Sequence, residues 1–263
     1  MRDMTRLVFY FVGFIFFGIT ASAQQVGNPS AQRQSGFAIM SAETQAMQQN
    51  DLSNPAMLWV KEGENLWRAT PGEGKKSCAD CHGAAPESMT GKAAHYPRTD
   101  TPSGRPIDLA GQIQQCRSQR QGLSDWQRES RPLLAMTAYL GLQARGAPIT
   151  PARDEALRVA AARGKALFSR RMGQLDLSCS GCHDDNWGKR LGSAIIPQGH
   201  PTGYPIYRLE WQGVGSLQRR LRNCMTGVRA EPYAYGAEEL IELEAYLMQR
   251  AAGMPLETPA VRP

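Results

Sequence analysis

Cys78-Ala-Asp-Cys-His82 and Cys179-Ser-Gly-Cys-His183 are two copies of one pattern, Cys-x-x-Cys-His, and they govern how the rest of the 263-residue chain is read. The pattern is the attachment signature of a c-type haem. Two thiols add across the porphyrin vinyl groups as thioethers, and the histidine after the second cysteine is placed under the iron as its proximal ligand. A zinc site or a redox dithiol would account for a lone Cys-x-x-Cys, but neither needs that histidine. Two covalently bound haem c groups are therefore expected. Cys78 and Cys81 with His82 would hold the first, and Cys179 and Cys182 with His183 the second.

Working outward, an offset of 101 residues that superposes the two motifs also brings their surroundings into register. Gly63-x-x-Leu66-Trp67 lies 15 residues before Cys78, and Gly164-x-x-Leu167-Phe168 lies 15 before Cys179. A helix carrying glycine and an aromatic residue, close-packed on the last helix, is what a small cytochrome c fold needs there. Asn54-Pro55 and Thr150-Pro151 read as the two helix starts. Leu157, Ala160, Gly164, Leu167 and Phe168 follow a helical period. At the far end Ala138-Tyr139-Leu140 matches Ala245-Tyr246-Leu247, each within a helical stretch, about 132–144 and 237–251. The fold class is all-α: two tandem cytochrome c-like domains from a diverged duplication, at 51–146 and 147–252. Residues 24–50, rich in Gln, read as an extension that wraps a domain or stays mobile. The Pro-containing tail, 253–263, is expected to fray.

Residues 1–23 read as a cleavable signal peptide: Arg2 and Arg6, an apolar run over 7–19, then Ala21-Ser22-Ala23. The run is short for a membrane span, so export to the periplasm with no membrane anchor is expected. Without this leader the chain carries 28 basic and 23 acidic side chains, +5 in formal charge, and four haem propionates would bring it near +1. Nucleic-acid binding is not indicated, since no basic run is interleaved with aromatics. One local cluster stands out: Arg208, Arg219, Arg220, Arg222 and Arg229.

Four of the six cysteines are attachment thiols, which leaves Cys116 and Cys224. In an oxidising compartment the default is a disulfide. Their positions point elsewhere, because Cys116 lies 34 residues after His82, Cys224 lies 41 after His183, and each sits about 21 before its own Ala-Tyr-Leu. Two equivalent thiols, one per haem, read as two distal iron ligands. Met225 adjoins Cys224, but helix neighbours point about 100° apart, so only one can face the iron. Met89 and Met136 for the first haem, and His95 and His200 for bis-His ligation, are the competing donors. Arg220 stands four residues before Cys224, where it would grip an oxyanion and favour the thiolate; the same place before Cys116 holds Gln112. That asymmetry makes the second haem the reactive one.

The stretch 179–192, Ile196-Pro-Gln-Gly-His-Pro-Thr-Gly-Tyr-Pro, and Arg220-Leu-Arg-Asn-Cys-Met-Thr-Gly-Val-Arg-Ala-Glu-Pro232 resemble the SoxA family, the larger cytochrome subunits of the SoxAX complexes of bacterial sulfur oxidation. The likeness covers essentially the mature chain, in the dihaem form of the family. It implies His82 and Cys116 as axial ligands of the first iron, and His183 and Cys224 of the second. It further implies Cys224 as the catalytic residue carrying a persulfide, and Arg220 as a substrate contact. The implied reaction couples thiosulfate oxidatively to a cysteine of the carrier SoxYZ, an L-cysteine S-thiosulfotransferase activity, and passes two electrons to cytochrome c. The implied partner is a monohaem SoxX. Two rival readings remain at this level. A plain dihaem electron carrier would have His/Met or bis-His ligation and be indifferent to Arg220, and a dihaem peroxidase would need an open iron position.

Overall fold

One pair of packed helices forms the centre of each half, and a glycine sets how closely each pair approaches. The computed structural model describes residues 33–263. In the first half α2 (Met57–Arg68) packs on α6 (Arg131–Leu142); in the second α7 (Glu155–Ser169) packs on α10 (Glu238–Arg250). A Cβ on Gly63 would collide with the Ala135 carbonyl and come within 2.6 Å of the Tyr139 Cβ. One on Gly164 would lie 2.5 Å from the carbonyl carbon of Glu242. Around these crossings the apolar periods bury Trp67, Leu133, Met136 and Tyr139 in one core, and Phe168, Leu240, Leu243 and Leu247 in the other. Glu238 and Glu239 in the first turn of α10 and Arg250 in its last complement the helix dipole.

Both helices expected to end the repeats lie within two residues of their expected bounds, but the two starts differ. Asn54 caps a turn, accepting from the Ala56 N–H at 2.9 Å, and α2 proper begins at Met57. The second start falls later than Thr150. The Thr150 N–H is taken by the Ala94 carbonyl of the first half at 3.0 Å, which holds the linker extended. Asp154 becomes the cap, accepting from the Leu157 N–H at 3.2 Å.

The halves share buried surface rather than meeting through a linker. Ala94 and Ala144 pack with Met248 and Ala251, and Ala56 and Leu134 pack with Tyr207, Val214 and Val261. The latter three belong to a small sheet in which β5 (Ile206–Arg208) pairs antiparallel with β6 (Gly213–Gly215) and parallel with β7 (Ala260–Arg262). Two shorter antiparallel pairs, Arg98–Thr99 with Pro106–Ile107 and Arg190–Leu191 with Ala194–Ile195, leave the class all-α.

The tail does not fray. Ala260 and Val261 are fully buried in β7, whose Val261 N–H donates to Gln48 Oε1 at 3.1 Å. Gln48 belongs to α1 (Ala42–Gln49), so the segment ahead of the first helix pair clasps the tail. The expected signal peptide and residues 24–32 lie outside the described residues. Among the described residues no helix is long and apolar enough to cross a membrane.

Candidate haem centres and substrate site

Each Cys-x-x-Cys-His pentapeptide is one short capped helix. Ser77 opens α3 (Cys78–His82), accepting from the Asp80 N–H at 3.0 Å while Asp80 accepts from the Ser77 N–H at 2.7 Å. Ser178 opens α8 (Cys179–His183), accepting from the Gly181 N–H at 3.0 Å. Such capping satisfies N–H groups that a five-residue helix leaves open. The two remaining cysteines also sit alike. Asp108 caps α5 (Leu109–Gln115) and Ser216 caps α9 (Leu217–Gly227), and each cysteine lies eight residues beyond its cap. Cys116 leads into a wide π turn, Cys116–Arg120. No disulfide joins any of the six cysteines, Cys116 and Cys224 included.

In the first half His82, Cys78 and Cys116 line one cleft, walled by Leu66, Trp67 and Leu140. The Trp67 ring lies 5.7 Å from the His82 ring. The cleft fits a haem: it is apolar, it has thiol and imidazole donors, and the Arg117 Nε on its wall is buried without a partner, as suits a cation awaiting an acid group. Burial, then the Cys116 charge, pushes the Cys78 thiol up. Gln112 is occupied, donating to the Cys116 sulfur at 3.9 Å and accepting from Arg98 Nη2 at 2.6 Å. Met89 and Met136 also line the cleft, whereas His95 bonds the Thr150 carbonyl at 3.0 Å.

In the second half Phe168 stacks 6.3 Å from the His183 ring. His183 Nδ1 donates to the Pro197 carbonyl at 2.7 Å, which fixes the tautomer and leaves Nε2 for a metal or a donor. The imidazole stands beside the Cys224 sulfur and favours its thiolate form. Burial pushes the Cys224 thiol up. His183 and the charges of Arg220 and Arg208 outweigh it, and the thiol pKa is lowered. Cys179, by contrast, is pushed up to about 11 by burial and then by Cys224. An imidazole facing a thiolate-prone sulfur, beside two attachment cysteines, is a donor set that fits a second haem iron. Met225, 3% exposed, points into the core with Leu240 and Leu243, and His200 bonds the Gln34 carbonyl at 2.9 Å.

The arginine cluster divides. Arg219 stacks on Trp211 at 4.2 Å and Arg222 on Tyr235 at 4.4 Å, and Arg229 follows the end of α9, exposed, with φ at 58°. The charges of Arg220 and of Arg208, whose guanidinium also lies 5.1 Å over the Trp211 ring, bear on Cys224. Arg220 is half-buried and makes no side-chain hydrogen bond or ion pair among the described residues.

The SoxA/TsdA cytochrome c domain model matches residues 62–149 and again 163–256. A SoxA subunit of L-cysteine S-thiosulfotransferase from Pseudaminobacter salicylatoxidans is 36% identical over 93% of this chain and 86% of its own length. The chain belongs to the SoxA family. The SoxA of Rhodovulum sulfidophilum is 33% identical over 87% of this chain and 79% of its own. A chain in the crystal structure of SoxXA from P. pantotrophus superposes with a TM-score of 0.84 at 33% identity, covering 88% of this chain and 87% of that one. As in any member of a cytochrome c family, haem c is the implied cofactor. What the sequence pattern of this SoxA chain did not show is that Arg208 and Tyr204, from β5 and the loop before it, join α9 at Cys224. Their only signal was the Arg208 charge in the 208–229 cluster.

Proposed function

We propose that the chain is the catalytic cytochrome subunit of an L-cysteine S-thiosulfotransferase, exported to the periplasm and paired with a monohaem SoxX. It would carry two haems c, the first held by Cys78, Cys81, His82 and Cys116, the second by Cys179, Cys182, His183 and Cys224. The overall reaction joins thiosulfate to a carrier thiol of SoxYZ: R–SH and ⁻S–SO₃⁻ give R–S–S–SO₃⁻, one proton and two electrons. A haem c supplies a one-electron path from the site to an acceptor cytochrome c.

The observation that carries this reading is Cys224 itself: half-buried, beside His183, and under the charge of Arg220, which has no hydrogen-bond or ion-pair partner among the described residues. A guanidinium with no hydrogen-bond or ion-pair partner among the described residues is a ready site for the sulfonate end of a small dianion. It also favours the thiolate form of the sulfur that must react. Cys224 thiolate, or its persulfide, forms an S–S bond to the outer sulfur of thiosulfate as two electrons leave. A carrier thiolate then attacks that outer sulfur, giving R–S–S–SO₃⁻ and releasing the Cys224 sulfur in its starting form. At the position that matches Arg220, the first half has the neutral Gln112, already committed to Cys116 and Arg98. Replacing Cys224 by Ser or Ala in the complex with SoxX and the carrier should abolish thiosulfate-dependent reduction of cytochrome c. Undiminished turnover would overturn the assignment and leave a dihaem electron carrier.

A further inference from the structure

The charges of two guanidiniums bear on Cys224, yet among the described residues a single carboxylate pairs with either of them. In β5 the Tyr207 side chain enters the core with Val214 and Val261, and strand alternation turns Arg208 to the other face. β6 leads through the Ser216 cap directly into α9, so Arg208 comes to stand near Arg220 and Cys224. The Arg208 side chain is 15% exposed, one Nη donates to Glu210 at 2.6 Å, and its Nε is buried with no partner. Glu210, 63% exposed, is screened by water and neutralises little. Burial, and then the charge of Arg220, lowers the Arg208 guanidinium pKa. Two neighbouring like charges and an unmet buried N–H are unfavourable until an anion lies between them.

We propose that Arg208 is a second substrate-binding residue, which with Arg220 holds the three sulfonate oxygens of thiosulfate and leaves the outer sulfur to Cys224. One planar guanidinium grips two oxygens in a fork; the third needs another donor, and the Arg208 Nε is one. Two cations also match the charge of the dianion. The inference rests on Cys224 being the reacting sulfur.

The test uses the haem-loaded complex with SoxX, carrying Arg208→Gln or Arg208→Lys, with Cys224→Ser in parallel. Three quantities are read: KM and kcat for thiosulfate, the inhibition constant of sulfate, and the midpoint potential of the second haem. Arg208→Gln should raise KM about 10- to 100-fold, the scale of a lost charge-assisted contact. It should weaken sulfate inhibition in parallel and leave the midpoint unmoved, and Arg208→Lys should recover part of the loss. An unchanged KM in Arg208→Gln overturns the proposal. So does a raised KM accompanied by a displaced midpoint, which would give the residue to a haem propionate instead. If Cys224→Ser is dead and Arg208→Gln is unaffected, this inference alone fails; if Cys224→Ser turns over, the reading beneath it fails.

Discussion

Arg220 and Gln112 occupy the same place, four residues before a cysteine, and differ in what engages them. Gln112 bridges Arg98 and the Cys116 sulfur, whereas Arg220 has no partner among the described residues. A side chain left free at such a spot contributes little to folding and much to a ligand. Arg220→Gln should therefore leave the unfolding free energy of the loaded protein, read from urea titration, within about 0.5 kcal/mol of the parent, as substitutions that break no contact usually do. The same change should lower kcat/KM for thiosulfate by about 100-fold, and Arg220→Lys should restore only part, because an ammonium cannot grip two oxygens in a plane. Steady-state kinetics beside equilibrium unfolding would check both statements. A large loss of stability with unchanged kinetics would show Arg220 to be structural.

At the scale of elements, the two helix pairs depend on backbone proximity at one glycine each. A methyl group at Gly164 has nowhere to go, since the obstacle is the main chain of Glu242 and Leu243. Gly164→Ala gains helix propensity of about 1 kcal/mol but must push α7 from α10, an overpacking cost of about 1–3 kcal/mol or more. The net effect should be destabilising and should displace Phe168 from the His183 ring, which it stacks upon. Denaturation midpoints and the absorption spectrum of the second haem would register it; a stabilised Gly164→Ala would contradict the close crossing. The short helices α3 and α8 rely on Ser77 and Ser178, and α5 and α9 on Asp108 and Ser216, so all four cysteine-bearing helices begin at a side-chain cap.

At the scale of the molecule, a buried polar cluster ties the halves together. Asp108 accepts from Arg128 at 2.5 and 3.0 Å and from Gln218 Nε2 at 3.1 Å, and so links the cap of α5 to the start of α9. Glu244 of α10 meets the same cluster through Gln218, with Arg128 and Glu129 also near. Burial, then the Asp108 charge, pushes its carboxyl up to about 8. A raised pKa means the folded state holds a proton that the unfolded state has released. This contribution is therefore complete below the ordinary carboxyl value of 4.5 and is lost as pH climbs through about 8. Glu244→Gln keeps a neutral hydrogen-bonding side chain there. Relative to the parent, this variant should be more stable at pH 8 than at pH 5. Thermal melts at the two pH values would show the difference, and parallel pH profiles would refute it.

The chain alone determined that two Cys-x-x-Cys-His motifs exist, that the halves repeat, and that a thiol falls at an equivalent place in each. These are local facts, because thioether attachment and helical packing demand fixed short spacings whatever lies elsewhere. Tertiary structure alone decided which of five arginines bear on Cys224, because that depends on the side of β5 turned toward α9 and on Tyr235 capturing Arg222, while the Trp211 ring takes both Arg219 and Arg208. It likewise decided that Asp154 rather than Thr150 starts α7, since Ala94 in the other half claims the Thr150 N–H. The Pro-containing tail became a buried strand for the same kind of reason. Its partners, Tyr207 and Gln48, lie far away in sequence, and no local pattern announces them.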